Sequence, residues 1–404
     1  MSSDVLKSLA KEALMIPQEK LQRIGSLNKK LFIGIPKETS FQENRVSLVP
    51  EAVSLLVNNG HRVCVETNAG QNAKFPDKDY SEVGAEICYS VEQVFKADII
   101  IKVAPPTKEE IEMMPGNQTL FAAIQLSVHP KNTLEMLMRK KITAIAWDFI
   151  KDEEDVYPVI RSMSEIAGIR AVSIASHYLS NLNEGRGTIL GGIAGVSPTE
   201  VVIIGAGTVG EFAAKSAIGL GASVKIFDDN VYKLRRLQND LNTTVWTSIV
   251  NPKVLEKALM RADVAIGALR AVNGRTPCVV TENMVSQMKE GSVIVDVSID
   301  QGGCFETSRV TNHNSPTFVE NGVIHYCVPN IASSVSRTAS FALSNIFSPL
   351  LLDIANGGGI AKKIRENTGF RHGVYVYKGT LTSPTLGEAF NLPFKNIELL
   401  LMAL

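Results

Sequence analysis

The chain has 404 residues, 45% of them hydrophobic, enough to bury one large core or two medium ones, and two domains is the natural expectation. Its 41 basic residues balance 41 acidic ones, so charge gives no case for nucleic acid or an anionic membrane as partner. The cysteines, Cys64, Cys88, Cys278, Cys304 and Cys327, stand singly with no C-x-x-C pair, which argues against a disulfide framework or a metal cluster and favours a reducing cytoplasm.

Residues 1–30 place Val5, Leu6, Leu9, Ala13 and Leu14 at helical spacing, with Ser3 or Asp4 as N-cap and Pro17 as the interruption. This predicts an amphipathic extension, without the apolar run of a secretory signal or a membrane span. From Leu31 onward short apolar strands alternate with helices: strands over 31–35, 63–65 and 97–103, a helix over 52–59, and further β/α passes through 119–125 and 144–150. Such alternation implies an α/β fold with parallel sheets and helices on their faces. Strand ends are then where chemistry belongs. Lys37, Glu38 and Arg45 follow the first strand, and Lys102 ends the strand over 97–103, just before Pro105 and Pro106. An arginine so placed can hold a substrate carboxylate bidentately; taken singly, each of these cations is more often a surface residue. Small residues from Met163 through Ala175 predict a helix crossing into the second domain, and the glycine-dense stretch 185–195 predicts a mobile loop.

The stretch Val201-Val-Ile-Ile-Gly205-Ala-Gly-Thr-Val-Gly210 reads as a strand buried on both faces, a glycine turn and the start of a helix. Gly205 makes the tight turn, Gly207 lets backbone approach a pyrophosphate, and Gly210 lets helix and strand pack closely, while the helix aims free N–H groups at phosphate. Residues 223–227 form a second strand ending in Asp228, where a carboxylate can accept from a ribose diol and repel a 2′-phosphate. The expected cofactor is NAD rather than NADP, with Lys233 a mild counter-signal and Arg235 and Arg236 read as a solvated helix face. Strands over 262–267 and 291–300 continue this domain; Asp300, read as ending its strand before Gln301-Gly302-Gly303, is expected to be functional, and Asp296, inside the strand, structural. A strand ending at Asn330 and a helix over 333–352 return the chain to the first domain.

With those residues in place, the chain resembles the alanine dehydrogenase family, which shares its fold with the NAD-binding domain of proton-pumping transhydrogenase. The likeness runs from about Leu31 to the C-terminus. It is carried by Gly34-Ile-Pro-Lys-Glu-Thr with Arg45, by Met163-Ser-Glu-Ile-Ala-Gly, Gly205-Ala-Gly-Thr-Val-Gly and Ile299-Asp-Gln-Gly-Gly-Cys-Phe-Glu306, and by Tyr326-Cys-Val-Pro-Asn330. The resemblance implies a doubly wound NAD-binding domain over 161–336, inserted in a substrate domain over 31–160 and 337–404. It also implies a homo-oligomer, usually a hexamer, that oxidises L-alanine to pyruvate and ammonia. Carried over by position, Arg45 would bind the substrate carboxylate and Asp300 would lie beside substrate and nicotinamide. Ser164, Gly205, Gly207, Thr208, Val209, Gly210, Asp228, Lys233, Leu269, Val297 and Asn330 would line the cofactor.

Two positions depart from the family. Ala104 stands where a second lysine follows Lys102-Val103, and Gln125 stands where the family has a histidine. Alanine has no titratable group, and glutamine exchanges no proton near neutrality. Lys102 and Gln125 are then expected to share the polar work with Asp300, Lys102 because alternation puts both neighbours of Val103 on one side; His129 is the other nearby titratable group. The departures leave two alternatives open: a dehydrogenase or reductive aminase for another amino or oxo acid, and an NAD(H)-binding protein without turnover.

Overall fold

The computed structural model describes residues 29–124, 131–270 and 275–402. The helix expected within residues 1–30, Gln125 and His129 lie outside the described residues. The chain first builds β1 (Phe32–Ile35), β2 (Arg62–Glu66), β3 (Glu86–Cys88), β4 (Ile99–Ile101), β5 (Thr119–Ala122) and β6 (Thr143–Ala146), then crosses on α1 (Pro158–Tyr178). The second sheet follows, as β7 (Glu200–Ile204), α2 (Thr208–Gly219), β8 (Ser223–Phe227), α3 (Val231–Leu241), β9 (Trp246–Ser248), β10 (Val264–Gly267), β11 (Val293–Asp296), β12 (Thr317–Glu320) and β13 (Val323–Tyr326). Helix α4 (Ser336–Asn356) returns the chain, and β14 (Val374–Tyr377) and β15 (Thr380–Leu381) complete the first sheet.

The two sheets have the orders β15-β14-β6-β5-β4-β1-β2-β3 and β12-β13-β11-β10-β7-β8-β9. They are parallel except where β14, β15 and β12 pair antiparallel at the margins. Ile99 to Ile101, Val201 to Ile204 and Val293 to Val295 are all buried, as strands covered on both faces require. This is the α/β architecture with parallel sheets expected from the alternation, and the second sheet has the doubly wound order that the resemblance implies. Each sheet reverses its direction of growth once, between β1 and β4 and between β7 and β10. The crevice outside such a switch point, at the carboxyl ends of the strands, is where open α/β sheets bind ligands.

Several elements end elsewhere than the apolar pattern suggests. Within the β/α pass expected over 144–150 the strand stops at Ala146, and Trp147–Phe149 leaves the sheet as a 3-10 turn. The strand expected to run to Asp300 stops at Asp296, whose carboxylate accepts the Ser298 N–H at 3.0 Å and caps the turn Val297–Gln301. Asp300 therefore sits on that turn, beyond the strand. Alternation cannot show either break, because Trp147 and Phe149, and Val297 and Ile299, carry the apolar/polar pattern on through the turns and the capping bond is local. Helix α1 begins at Pro158 rather than Met163; proline in the first turn has no N–H to lose.

Two helix contacts place the site. Gly168 of α1 lies so close to α2 that a Cβ there would meet the Val209 carbonyl at 2.5 Å and the Ala213 N at 2.9 Å, which brings the Ser164 end of α1 to the glycine turn. On α4, Leu343, Phe347, Leu351 and Ile354 fill the first domain's core. Along the same helix the Ser340 hydroxyl accepts the Val46 N–H at 2.9 Å, and the Ser344 hydroxyl accepts the Val49 N–H at 2.8 Å. The small polar residues of α4 thus hold the segment that carries Arg45.

Candidate active site

A cleft of about 510 Å³ opens between the two sheets. Every wall of it follows the carboxyl end of a strand or belongs to α1, α3 or the start of α2. Arg45 follows β1, Ala123 follows β5, and Trp147 and Asp148 follow β6; Gly207, Thr208 and Val209 follow β7. Ala268 to Arg270 follow β10, Val297, Ser298, Asp300 and Gln301 follow β11, and Asn330 to Ala332 follow β13. Ser164 and Met163 of α1, and Lys233 and Arg236 of α3, complete it. The structure therefore gathers Arg45, Asp300, Ser164, Gly207, Thr208, Val209, Lys233, Leu269, Val297 and Asn330 in one place. Arg236, read from sequence as a solvated residue, is among them, and its guanidinium reaches the Ala206 carbonyl at 3.4 Å.

Arg45 is 7% exposed and is held by a neighbour two residues away. Glu43 accepts from its Nε at 2.7 Å and from its Nη2 at 2.5 Å, and Nη1 lies 3.4 Å from Met163 Sδ. Burial opposes the charge on Glu43, but the Arg45 guanidinium outweighs it and holds the carboxyl below its ordinary value. A guanidinium has five donors, so one edge is fixed while N–H groups on Nη1 and Nη2 remain for a carboxylate. Glu43 also accepts from Asn330 Nδ2 at 2.8 Å, and the Asn330 N–H donates to Asp300 Oδ1 at 3.1 Å. Asn330 takes the left-handed conformation, φ 54°, that asparagine tolerates; it links the arginine of one domain to the aspartate of the other. Asp300 faces the cleft. Burial of its surroundings raises its pKa, against the pull of the Asn330 N–H and of Arg45.

Lys102 is a correction to the sequence reading. Its side chain is fully buried and does not reach the cleft. Nζ lies 2.6 Å from Glu110 and 3.6 Å from Glu38, and Glu38 in turn accepts the Val103 N–H at 2.5 Å. Burial opposes the lysine charge, but Glu38 and Glu110 together outweigh it and keep the ammonium charged. Burial pushes Glu38 up, to about 6, despite Lys102. The alternation argument does not bring Lys102 to the cleft, because two carboxylates hold its ammonium within the domain. Ala104, 4% exposed, adds no polar group.

The nucleotide side fits a dinucleotide. Gly205 has φ 118°, and a Cβ on it would meet the Ala268 carbonyl at 2.3 Å. A Cβ on Gly207 would meet nothing within 4 Å, which leaves room for a ligand to approach the backbone. The N-terminus of α2 has no side-chain cap, so its first N–H groups stay free for phosphate. Asp228 follows β8 and braces the turn, Oδ2 accepting the Ala206 N–H and Oδ1 the Asn230 N–H, both at 2.8 Å. Lys233 Nζ stands 4.0 Å from it. A Cβ on Gly210 would lie 1.9 Å from the Gly205 carbonyl. Gly210→Ala is therefore expected to push α2 off the turn, weakening NADH binding and costing about 1–3 kcal/mol of stability. Fluorescence titration with NADH and thermal denaturation check this.

Sequence reasoning passed over Asp148, Arg270 and Trp147. The first was legible in principle as a carboxylate just after a buried apolar strand, within the β/α pass over 144–150.

Two doubly wound sheets with their switch points on one cleft, a glycine turn on one wall and an arginine–aspartate pair across the others, define a two-domain dinucleotide-binding protein. The chain belongs to the alanine dehydrogenase/PNT family, whose N-terminal domain model matches residues 34–167 and whose C-terminal domain model matches residues 171–384. It is 40% identical to alanine dehydrogenase 2 of Staphylococcus aureus (strain USA300) over 367 residues, 91% of this chain and 98% of that one. A solved L-alanine dehydrogenase superposes with a TM-score of 0.84 at 40% identity, covering 89% of this chain and 99% of that chain. A transhydrogenase from Sinorhizobium meliloti superposes with a TM-score of 0.75 at 22% identity, over 87% of this chain and 99% of that chain, a likeness of fold.

Proposed function

We propose that the protein is an NAD-dependent alanine dehydrogenase, oxidising L-alanine reversibly to pyruvate and ammonia. The observation that carries this reading is the shared cleft, in which Arg45 and Asp300 stand within one hydrogen-bonded network opposite the glycine turn. When bound, the cofactor supplies the hydride acceptor, and the protein supplies position and electrostatics. Arg45, clamped on one edge by Glu43, presents its remaining donors to the substrate carboxylate and so orients the α-carbon. Asp300 stabilises positive charge developing at the substrate nitrogen. Gly207, Thr208 and Val209 receive the pyrophosphate, and Asp228 holds the turn in shape while favouring a cofactor with no 2′-phosphate. Ser164, Leu269, Val297 and Asn330 line the remaining cofactor wall.

The test is NADH formation at 340 nm with L-alanine and NADH consumption with pyruvate and ammonium. Turnover in both directions supports the reading; NADH binding without turnover in either direction overturns it.

Residues 31–160 with 337–404 act as the substrate domain and 161–336 as the nucleotide domain. The protein works in the cytoplasm as a homo-oligomer. Its five thiols are free, and Leu182, Ile189, Ile193 and Val196 are each more than half exposed, the kind of apolar surface that marks a contact between chains. Light scattering of the purified protein checks the oligomer.

A further inference from the structure

Among the described residues six charged side chains line the cleft: Arg45, Lys233, Arg236 and Arg270 are cations, and Asp148 and Asp300 are the carboxylates. Asp148 has no part in the reading above, yet its placement is specific. The Trp147 indole N–H donates to the Lys102 carbonyl at 3.2 Å and pins the turn that follows β6. Asp148 Oδ1 accepts the Ile124 N–H at 3.1 Å, tying the end of β6 to the end of β5. Bonded to the Ile124 N–H and to its own backbone N–H, the carboxylate still keeps acceptor capacity. Arg270, from the nucleotide domain, is the cation that acts on it.

Resting on the deamination reading, we infer that Asp148 is the proton-transfer group on the substrate-domain side of the cleft. It takes a proton from the substrate ammonium and returns it to the departing amine. This is work for which Ala104 and Gln125 carry no titratable group. Burial pushes the Asp148 carboxyl to about 7, against the Ile124 N–H and Arg270, which places it near the pH at which such a group is most effective. The other titratable and charged groups around it are Tyr375 of β14, which the Asp148 charge helps to raise, and His372, whose Nδ1 lies 3.2 Å from the Phe149 carbonyl. Asp300 and Arg45 line the same cleft.

The proton balance is simple. The Asp148 carboxylate removes one proton from the α-ammonium, freeing the nitrogen lone pair that becomes the C=N bond as the α-hydride leaves. Water then adds to the imine carbon. The protonated Asp148 gives its proton to the nitrogen of this adduct, and the C–N bond breaks with its electron pair on ammonia. Both protons of the added water pass to solvent, which leaves the 2-oxo acid.

The experiment compares wild type, Asp148→Asn and Asp148→Glu as full chains. Asparagine keeps an acceptor for the Ile124 N–H but cannot exchange a proton. In the cofactor-free protein, 13C-carboxyl NMR should show an aspartate titrating near neutrality that is missing from Asp148→Asn. That variant should bind NADH within threefold of wild type and have a Tm at pH 8 no lower than that of wild type, yet lose about 10²–10⁴-fold in kcat together with the acidic limb of the pH profile. Asp148→Glu should restore part of both. If wild type turns over alanine and Asp148→Asn stays within threefold of it in kcat with the same acidic limb, the inference about Asp148 falls and the deamination reading stands. If wild type turns over in neither direction, both fall.

Discussion

An Asp300→Asn variant is expected to lose about 10²–10⁴-fold in kcat, the range typical for removing a positioned charged or acid–base group, while NADH affinity stays within about threefold. Asparagine can still accept the Asn330 N–H that meets Oδ1 at 3.1 Å, so the link between the domains survives. What disappears is the negative charge facing Arg45 and the substrate nitrogen. Because the proposed role is electrostatic and at the reacting centre, the defect should appear in kcat more than in KM. Stopped-flow kinetics with L-alanine, together with NADH titration, measures it. A loss of NADH binding comparable to the loss of kcat would instead make Asp300 a structural support of the cofactor wall. Asp300→Glu is a weaker control, since the longer side chain must leave the turn Val297–Gln301 on which the carboxylate is set.

The second large effect concerns stability. Lys102→Met is expected to destabilise the first domain by about 3–5 kcal/mol, since breaking a buried ion pair leaves an uncompensated charge. Here there are two such charges, Glu110 at 2.6 Å and Glu38 at 3.6 Å from the lost ammonium. The melting transition should fall by about 10 °C, and adding Glu110→Gln should recover part of it. The sign with pH follows from Glu38, whose folded pKa is raised to about 6. Its proton is bound more tightly in the folded state, so its contribution is present at acid pH and lost as pH rises through that value. Without Lys102 the cost of the ionised carboxylates is therefore greatest near and above neutrality. The gap between variant and wild type should narrow as pH falls below about 6. A Lys102→Met protein as stable as wild type at pH 8 would mean that the triad contributes packing alone. Because Lys102 does not reach the cleft, NADH affinity should not change.

Together these variants separate two uses of buried charge in one protein. In the triad of Lys102, Glu38 and Glu110 the charges satisfy one another and hold the end of β4. At Arg45, Glu43, Asn330 and Asp300 they are deliberately left with spare hydrogen-bonding capacity, and the chain spends a left-handed asparagine and three serine hydroxyls of α4 and its approach to fix them.

The sequence by itself determined the architecture and the glycine turn that the proposed cofactor wall is built on. Continuous β-branched runs bounded by glycine turns fit strands covered on both faces, and G-x-G-x-x-G between such a run and a helix leaves few other geometries, so Gly205, Gly207 and Gly210 could be assigned their steric tasks from spacing. Arg45 and Asp300 were legible as charged residues just past buried strands. What tertiary structure decided was which charges share a cleft. Lys102 and Arg45 both follow central strands of the first sheet, and local pattern treats them alike; Glu110, eight residues beyond Lys102 on another element, turns one of them inward. Asp296 was read as a strand interior and Asp148 was not singled out, but the strands stop at Asp296 and Ala146 and the next residues turn out of the sheet. Those turns are set by the Trp147 indole meeting the Lys102 carbonyl and by the Asp296 cap. The first of these joins residues far apart in the chain and the second is a single local bond, and neither leaves a periodicity to read.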